Sequence, residues 1–254
     1  MMNTTNSASP LETAWFGDTA VPVDAKKPMV RAVFDSVADR YDLMNDLMSG
    51  GVHRLWKAAF IDRLAPRSDM TVLDVAGGTG DIAQRILARA PGARVILADI
   101  NQSMLRVGRD RAIDSGSWGD LTYLAADAEK LPVEDRSVDA YTIAFGLRNV
   151  TDIDAALAEA RRVLKPGGRF LCLEFSRVVI PAVDLLYQGW SRVIPMIGQR
   201  VAGDRDSYQY LVESIRRFPP QQELVDRMQQ AGMSRARYRN LSGGIAAIHE
   251  AWRL

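Results

Sequence analysis

Cysteine is almost absent from this chain of 254 residues, and its scarcity limits the chemistry that the sequence can support. The single cysteine, Cys172, lies in the apolar run Phe-Leu-Cys-Leu. One cysteine excludes a disulfide within the chain, and in such a run it is expected to be a small buried side chain rather than a nucleophile. Stability must therefore come from a hydrophobic core, which a chain of this length can bury within one domain.

Long apolar runs and an excess of either charge are also missing. No uninterrupted apolar run reaches the roughly 18 residues that a membrane-spanning helix needs. The chain has 32 Lys and Arg against 31 Asp and Glu, so no overall field favours nucleic acid or an anionic membrane, and we expect no nucleic-acid partner. Residues 1–25 contain no arginine and no signal-peptide core. These features disfavour a transit peptide and favour a bacterial cytoplasmic setting.

Composition and periodicity divide the chain into segments. Residues 1–25 lack periodicity and are predicted to be loose. Residues 26–254 are predicted to form a single domain, because no linker-like stretch interrupts them. That domain would comprise a helical lid at 26–66, a core of alternating strands and helices at 70–176, an apolar insertion at 177–218, and a C-terminal helix and hairpin at 219–254.

The stretch Val72–Asp81 (VLDVAGGTGD) predicts a nucleotide site. An apolar run that ends in an acid and continues into three glycines is typical of a buried strand that turns tightly into a helix. The glycine spacing and Asp99 also match a dinucleotide-binding pattern. However, Asp74 would repel a pyrophosphate, whereas it suits the ammonium group of a methionine moiety. Asp127 follows a third strand-like segment and could accept an adenine amino hydrogen.

In combination, these acids and glycines resemble the S-adenosylmethionine site of class I methyltransferases, over about residues 70–175. The resemblance implies S-adenosyl-L-methionine as the cofactor. Its binding residues would be Asp74, Gly78, Thr79, Gly80, Asp99, Asp127 and Ala128. The alternative is that Asp99 and Asp127 only cap helices, which short acidic side chains often do. No metal site is predicted.

The order of predicted elements indicates an α/β fold. Strand-like runs alternate with helical segments from Val72 to Phe175, which predicts a mostly parallel, Rossmann-like sheet with helices on both faces. Two further runs, 236–241 and 245–251, predict a terminal hairpin that adds an antiparallel edge. Ligands of such sheets bind at the carboxyl ends of the strands. This edge should therefore bring the acids together.

A second informative stretch is Ala144–Val150 (AFGLRNV), which leaves a buried strand at this edge. Together with Phe34–Asp42, Leu173–Ser176 and Asp206–Ser214, it resembles the ubiquinone/menaquinone biosynthesis C-methyltransferase family (UbiE type). The resemblance spans nearly all of residues 26–254. It implies methyl transfer to a ring carbon of a prenylated quinol, either 2-polyprenyl-6-methoxy-1,4-benzoquinol or demethylmenaquinol or both. It also adds the backbone of Ala144 to the cofactor contacts.

The chemistry that the resemblance implies depends on an electron-rich ring carbon. Arginine is always protonated and cannot ordinarily act as a base, so we predict that Arg148 stabilises the quinolate electrostatically. The alternative is that Arg148 forms a salt bridge that holds its loop. Asn149, Tyr41 and Tyr208 are further catalytic candidates, for proton handling or for positioning the ring. Spacing does not choose among them.

The insertion after the fifth predicted strand is unusually apolar and aromatic. We predict that it lines a channel for the prenyl tail and contacts the bilayer surface, which would make the enzyme peripheral on the inner face of the plasma membrane. Packing in the core or in a homodimer is the alternative. Two rival functions remain: methylation of another hydrophobic phenol or a sterol, and a cofactor-binding scaffold in a quinone-synthesis complex.

Overall fold

The structure is a computed structural model, and it describes residues 13–37, 41–114, 116 and 121–254, without the side chains of residues 37, 41–43, 201 and 202. The strands are β1 (Thr13–Phe16), β2 (Thr19–Pro22), β3 (Thr71–Val75), β4 (Arg94–Asp99), β5 (Leu121–Ala125), β6 (Val138–Ala144), β7 (Leu164–Phe175), β8 (Ser234–Leu241) and β9 (Ala246–Trp252). The helices are α1 (Val23–Val37), α2 (Tyr41–Ser49), α3 (His53–Leu64), α4 (Asp81–Arg89), α5 (Gln102–Asp114), α6 (Ile153–Val163), α7 (Pro181–Ala202), α8 (Arg205–Arg217) and α9 (Gln221–Gln230).

The main sheet has the strand order β5-β4-β3-β6-β7-β9-β8. Strands β3 to β7 are mutually parallel, and β9 pairs antiparallel with both β7 and β8. The predicted α/β fold with an antiparallel C-terminal edge is confirmed. The strand order reverses between β3 and β6, so a crevice opens at their carboxyl ends, where sheets of this kind bind ligands.

The parallel strands are buried on both faces because helices cover the sheet on each side. Val72, Leu73 and Val75 of β3 are each at most 1% exposed. One apolar cluster joins β3 and β6 to α3, α4 and α8, and a second joins β6 and β7 to α6 and α9. Near-continuous apolar strands with helices between them are what a parallel sheet requires.

Capping residues explain where the helices around the crevice begin. Asp152 caps α6, since its carboxylate accepts from the backbone N–H groups of Asp154 and Ala155. At α5 the cap is Asn101, whose Oδ1 accepts from Ser103 N and Met104 N at 2.9 and 3.1 Å. Asp99 therefore does not cap α5, and the helix-cap alternative for this acid is wrong.

The N-terminal segment differs from the prediction. Residues 1–25 were expected to be loose, but residues 13–22 form a β-hairpin and α1 begins at Val23. Residues 1–12 lie outside the described part of the chain. The hairpin is held by contacts remote in sequence, because the ring of Phe16 stacks on Tyr210 of α8 with a centroid distance of 4.3 Å. Such contacts leave no periodic signal in a segment this short.

Helices α1, α2 and α3 occupy the residues predicted to form a helical lid, and α7 occupies the apolar insertion. Helix α7 starts with Pro181 at its first turn and continues through Pro195. Among the described residues, we find no helix with the length and apolar character needed to cross a bilayer.

Candidate active site

A tight turn follows β3 and joins it to α4. Gly78 and Gly80 have φ values of 55° and 84°, a region that favours glycine. A Cβ at Gly77 would overlap the side chain of Leu97 of β4. Only glycine therefore fits at this position of the turn. The strand, the turn and the helix follow the pattern that the sequence predicted.

The turn forms one wall of a pocket at the carboxyl ends of the parallel strands, where sheets of this kind bind ligands. Helix α1 contributes Lys27, Val30 and Phe34 to the opposite wall. Four of the predicted cofactor residues line the pocket, namely Gly78, Asp99, Asp127 and Ala128. Three of the other four lie directly beside a lining residue in the sequence, since Asp74 precedes Val75, Thr79 follows Gly78 and Ala144 precedes Phe145, and Gly80 is two residues after Gly78.

Asp99 ends β4 and is almost completely buried. Its Oδ2 accepts from Gly78 N at 2.8 Å, and its Oδ1 accepts from Asn101 N at 2.7 Å. Burial raises the pKa of the carboxyl group to about 6, although these backbone N–H groups oppose the rise. Each oxygen retains acceptor capacity, so a ligand diol can donate to the same carboxylate that holds the turn in place.

Asp127 lies at the far end of the pocket and is bridged to α1. Lys27 Nζ donates to Asp127 Oδ2 at 2.6 Å and to Glu129 Oε2 at 2.8 Å. The other oxygen of Glu129, Oε1, accepts from Thr151 N at 2.6 Å. These contacts, which we call the Lys27 bridge (Lys27, Asp127 and Glu129), tie α1 across the pocket. Glu129 also ties the bridge to the loop that leads into α6.

Asp74 is fully buried on β3. Thr142 Oγ1 donates to its Oδ1 at 2.8 Å, whereas Oδ2 has no hydrogen-bond partner among the residues that the structure describes. Burial raises the pKa of this carboxyl group to about 7. A buried acceptor without a donor costs free energy, so Oδ2 suits a positively charged donor close to the glycine turn.

These features test whether the site fits S-adenosylmethionine. The unpartnered buried oxygen of Asp74 matches an ammonium group, and the carboxylate of Asp99 matches a ribose diol. The turn, where a Cβ at Gly77 would overlap Leu97, provides the close backbone approach. The residues present therefore fit the group. The side chain of Thr79 is buried, and its hydroxyl accepts from Arg111 Nη1 at 3.3 Å.

The loop after β6 meets the glycine turn at close range. Phe145 has a φ of 57°, which is strained for a residue other than glycine and is typical of functional sites. A Cβ at Gly146 would overlap the Cβ of Ala76, whose own φ is 50°. The backbone of Gly146 is thus packed against the side chain of Ala76. Ala144 ends β6 and, lacking a polar side chain, can offer a ligand only its backbone.

Arg148 forms the salt bridge that the alternative interpretation predicted. Its Nη1 donates to Glu174 Oε1 at 2.7 Å and to the carbonyl of Phe145 at 2.6 Å, and both charged side chains are at most 5% exposed. Its guanidinium lies 5.5 Å from the ring centroid of Phe175. Arg148 borders a neighbouring cleft together with Tyr210. The ion pair therefore orients Arg148 beside the cofactor pocket.

Of the other predicted catalytic residues, Asn149 lines the cofactor pocket and Tyr208 does not. The Oδ1 of Asn149 accepts from the hydroxyl of Tyr210 at 2.9 Å. Tyr208 is fully buried and packs against Gly198 of α7, so the structure uses it in the α7–α8 contact rather than in the pocket wall. Tyr41 is the first residue of α2, and its side chain lies outside the described part of the structure.

Three aromatic rings gather at the carboxyl ends of β6 and β7. Phe145 and Phe175 have a centroid distance of 5.0 Å, and Trp56 of α3 lies 5.9 Å from Phe175 and 6.4 Å from Phe145. The indole N–H of Trp56 donates to Ser242 Oγ at 2.9 Å. Of these three rings, Phe145 lines the pocket, and Phe175 and Trp56 pack behind it.

Sequence reasoning missed Glu174, Lys27 and Tyr210. Glu174 stood within a quoted motif as an acid at the end of an apolar strand, which is a signal for a buried, paired charge. Tyr210, Glu213 and Arg217 are spaced by three and four residues, which places them on one face of α8. All three contact the hairpin. Lys27 gave no signal, because a surface lysine is common in any helix.

Solved structures with low sequence identity have the same fold. An S-adenosylmethionine-dependent methyltransferase from Thermotoga maritima matches with a TM-score of 0.64 at 18% identity, over 89% of this chain and all of that chain. A phosphoethanolamine N-methyltransferase from Haemonchus contortus, in complex with S-adenosyl-L-methionine, matches with a TM-score of 0.58 at 15% identity, over 78% of this chain and 52% of that chain. The chain therefore has the fold of these methyltransferases.

Sequence comparison is more specific. The model of the ubiE/COQ5 methyltransferase family matches residues 22–253. A "Ubiquinone/menaquinone biosynthesis C-methyltransferase UbiE" from Acidiphilium cryptum is 60% identical over 96% of this chain and 98% of its own length. The protein of the same name from Brucella abortus is 58% identical over 94% of this chain and 90% of its own length. The chain belongs to the ubiE/COQ5 methyltransferase family.

Proposed function

We propose that this methyltransferase transfers a methyl group from S-adenosyl-L-methionine to a ring carbon of a prenylated quinol in ubiquinone or menaquinone biosynthesis. The observation that carries the proposal is the pocket itself, because one cavity is lined both by Asp99 and Asp127 and by Asn149 and the ring of Phe145. The names of relatives about 60% identical to this chain support the same reaction. Benzoquinol and naphthoquinol are both candidate substrates.

The residues of the pocket have distinct roles in holding the cofactor. Asp74 faces the ammonium group, Asp99 accepts from the ribose hydroxyls, and Asp127 accepts from the adenine amino group. When bound, S-adenosylmethionine supplies a methyl group that its sulfonium has already activated for transfer. The chain therefore does not need a nucleophile of its own, and its task is to present an electron-rich ring carbon.

Arg148 is the residue that we assign to the quinol. A free phenol has a pKa near 10, and loss of its proton moves electron density onto the adjacent ring carbons. The Arg148 guanidinium stabilises the resulting quinolate, and its ion pair with Glu174 fixes the orientation of the guanidinium. Removing one such donor costs roughly 100-fold in kcat or more. Asn149 contributes a hydrogen bond that positions the ring.

Arg148 needs a test that separates catalysis from stability. Removing one partner of a buried ion pair costs roughly 3–5 kcal/mol, because the other charge is left uncompensated. Arg148→Gln alone should therefore lower both the melting temperature and kcat. The double variant Arg148→Gln/Glu174→Gln should recover stability but not kcat, with the affinity for S-adenosylhomocysteine nearly unchanged. Recovery of kcat in the double variant would show that the pair is only structural.

The reaction itself is tested by the position of the transferred label. The purified protein is incubated with methyl-labelled S-adenosylmethionine and a demethylated prenyl quinol of either ring type, and the product is analysed by NMR. A labelled methyl group on a ring carbon is the expected result. Label on oxygen, or no label with either ring type, would overturn the proposed substrate and leave the class of enzyme unchanged.

An apolar surface on α7 supports contact with the bilayer from which a prenylated quinol would come. Leu185 and Leu186 are each 75% exposed, and Val193 and Met196 lie further along the same helix with 39% and 58% exposure. Exposed apolar groups in one patch are typical of interaction sites. We infer that this surface rests on the inner leaflet and guides the prenyl tail towards the pocket.

Cosedimentation with liposomes tests this membrane contact. The variant Leu185→Glu/Leu186→Glu should lose most of its pelleting, because two charges would have to enter the apolar part of the interface. The matched control is Ile113→Glu on α5, which changes a residue of 53% exposure outside the α7 surface. Equal pelleting of all three proteins would exclude the α7 surface as the membrane contact. A shift from dimer to monomer in the double variant would assign the surface to a second copy of the chain instead.

A further inference from the structure

A continuous series of contacts runs from the N-terminal hairpin to the cofactor pocket. We propose that Tyr210 is a positioning residue for methyl transfer, because its hydroxyl fixes the orientation of the Asn149 amide and the hairpin holds its ring. The inference rests on the proposed function in one respect, which is that Asn149 faces the quinol. Neither Tyr210 nor the hairpin was a candidate from the sequence.

The amide of Asn149 has two different ends, and its contacts distinguish them. Tyr210 donates its hydroxyl hydrogen to Asn149 Oδ1 at 2.9 Å, and Asn149 Nδ2 donates to the carbonyl of Phe145 at 3.4 Å. A hydroxyl donor beside Oδ1 holds the amide with its oxygen towards α8. One hydrogen of Nδ2 is used by Phe145, and the second remains for a ligand.

This orientation matters for the charge that develops on the substrate. A quinolate oxygen is an acceptor, so it is stabilised by the N–H of an amide and repelled by its carbonyl oxygen. Without the Tyr210 hydroxyl, the amide can rotate and present either end to the pocket. Tyr210 is 3% exposed, and burial raises its pKa above the ordinary value. The hydroxyl therefore keeps its proton and remains a donor throughout the range in which the enzyme can be assayed.

The hairpin fixes the position of the Tyr210 ring. The ring of Phe16 stacks on it with an interplanar angle of 19°. Two further contacts attach the hairpin to the same face of α8. Glu213 Oε2 accepts from Asp18 N at 3.0 Å, and the guanidinium of Arg217 lies 3.6 Å from the ring centroid of Trp15. The hairpin thus holds the Tyr210 ring in the position from which its hydroxyl donates to Asn149.

The variant Tyr210→Phe removes the hydroxyl and keeps the stacked ring. Loss of one hydrogen bond should lower kcat about five- to tenfold, while KM for S-adenosylmethionine and the melting temperature change little. Tyr238→Phe is the matched control, because this tyrosine is 40% exposed on the edge strand β8. Phe16→Ala should reduce kcat in the same direction, since it releases the ring. A Tyr210→Phe enzyme with the kcat of the parent would overturn the inference.

Two further measurements separate positioning from a general structural effect. In an Asn149→Ala background, Tyr210→Phe should change kcat less than twofold, because the amide that it orients is gone. An additive loss would contradict the inference. The second readout needs no quinol. The side-chain amide NMR signal of Asn149, identified by its loss in Asn149→Ala, should shift in Tyr210→Phe and not in Tyr238→Phe.

The NMR result also separates this inference from the proposed function. If the parent enzyme methylates no quinol but the Asn149 signal shifts as expected, the proposed substrate fails and the Tyr210 contact stands. If the parent enzyme methylates quinol and the signal does not shift, the positioning role fails and the reaction stands.

Discussion

The carboxyl group of Asp74 is buried next to the glycine turn, and one of its oxygens accepts no hydrogen bond from the residues that the structure describes; this arrangement makes the ligand-free protein sensitive to pH. Burial raises its pKa from 3.8 to about 7 in the folded protein. The folded state therefore binds this proton more tightly than the unfolded chain does. The stability that follows is fully present below about pH 4 and is lost as the pH rises through 7.

Asp74→Asn should remove this dependence, because the side chain stays neutral at every pH. The difference in unfolding free energy between the variant and the parent should grow by roughly 2–3 kcal/mol from pH 5 to pH 8, at about 1.4 kcal/mol per pKa unit. Thermal denaturation without cofactor, at both pH values, measures it. A difference that is the same at pH 5 and pH 8 would contradict the burial of a titrating carboxyl group. The variant should also bind S-adenosylhomocysteine more weakly.

Other parts of the site at the residue scale were only partly accessible from the sequence. The acids Asp99 and Asp127 could be predicted to share a pocket, since they follow successive strands of a parallel sheet. The partners of the charged residues could not. Arg148 and Glu174 lie 26 residues apart, and Tyr210 and Asn149 lie 61 apart. Which of the two tyrosines, Tyr208 or Tyr210, contacts Asn149 depends on the rotation of α8 about its axis, and α8 follows a helix that the sequence did not define.

Among the elements, α1 is the one whose contacts close the cofactor pocket. Lys27 reaches across to Asp127 and Glu129, and it is 36% exposed. Lys27→Met should raise the dissociation rate of S-adenosylhomocysteine about two- to fivefold, since partly exposed ion pairs contribute up to about 1 kcal/mol. Stopped-flow displacement gives this rate.

Lys165→Met is a matched control for α1. The Lys165 side chain is 39% exposed and pairs with Asp139 at 2.8 Å. The pair lies at the end of the sheet opposite to the pocket. Its loss should affect stability to a similar extent and leave ligand dissociation unchanged. Equal dissociation rates in the two variants would mean that α1 does not retain the ligand.

The two loops at the ends of β3 and β6 are packed too closely for an added methyl group. Gly146→Ala would place a Cβ on that of Ala76, and overpacking of this kind costs roughly 1–3 kcal/mol. We expect a melting temperature lower by about 2–12 °C, at roughly 2–4 °C per kcal/mol for a chain of this size. Gly189→Ala on α7 is the control, because a Cβ there meets nothing within 4 Å. It should be neutral or stabilising, and a similar loss in both variants would exclude the clash as the cause.

For the whole molecule, the sequence predicted the strands of the main sheet better than the N-terminal hairpin that packs outside it. The alternation of strand-like and helical segments in the sequence predicts β3 to β7. The confirmed antiparallel edge was predicted from the strand-like runs 236–241 and 245–251, which Ser-Gly-Gly joins. Residues 13–22 were predicted to be loose because the segment shows no hydrophobic periodicity, but they form the hairpin of β1 and β2. Its order comes from contacts with α8, which only the assembled fold provides.

A ligand that is held by the core and by α1 should protect segments far apart in the sequence. At 100 times its Kd, S-adenosylhomocysteine should add about 2.7 kcal/mol to the stability of the folded state. Hydrogen exchange should slow in residues 23–37 and 145–151 as well as in 74–80, because all three segments meet at or beside the pocket. The edge strand β8 serves as the internal control. Protection confined to residues 70–130 would show that α1 is not part of the binding unit.

Glu129 connects the two ligand sites through one carboxylate. Its Oε2 accepts from Lys27 of α1, while its Oε1 accepts from Thr151 N, next to the segment that holds Arg148 and Asn149. Coupling free energies between binding sites are reciprocal. If the quinol binds at residues 145–151, as proposed, and the cofactor increases its affinity through this carboxylate, the quinol must increase the affinity for the cofactor by the same factor. The order in which the two substrates bind can then differ with their concentrations, while the stability of the ternary complex stays the same.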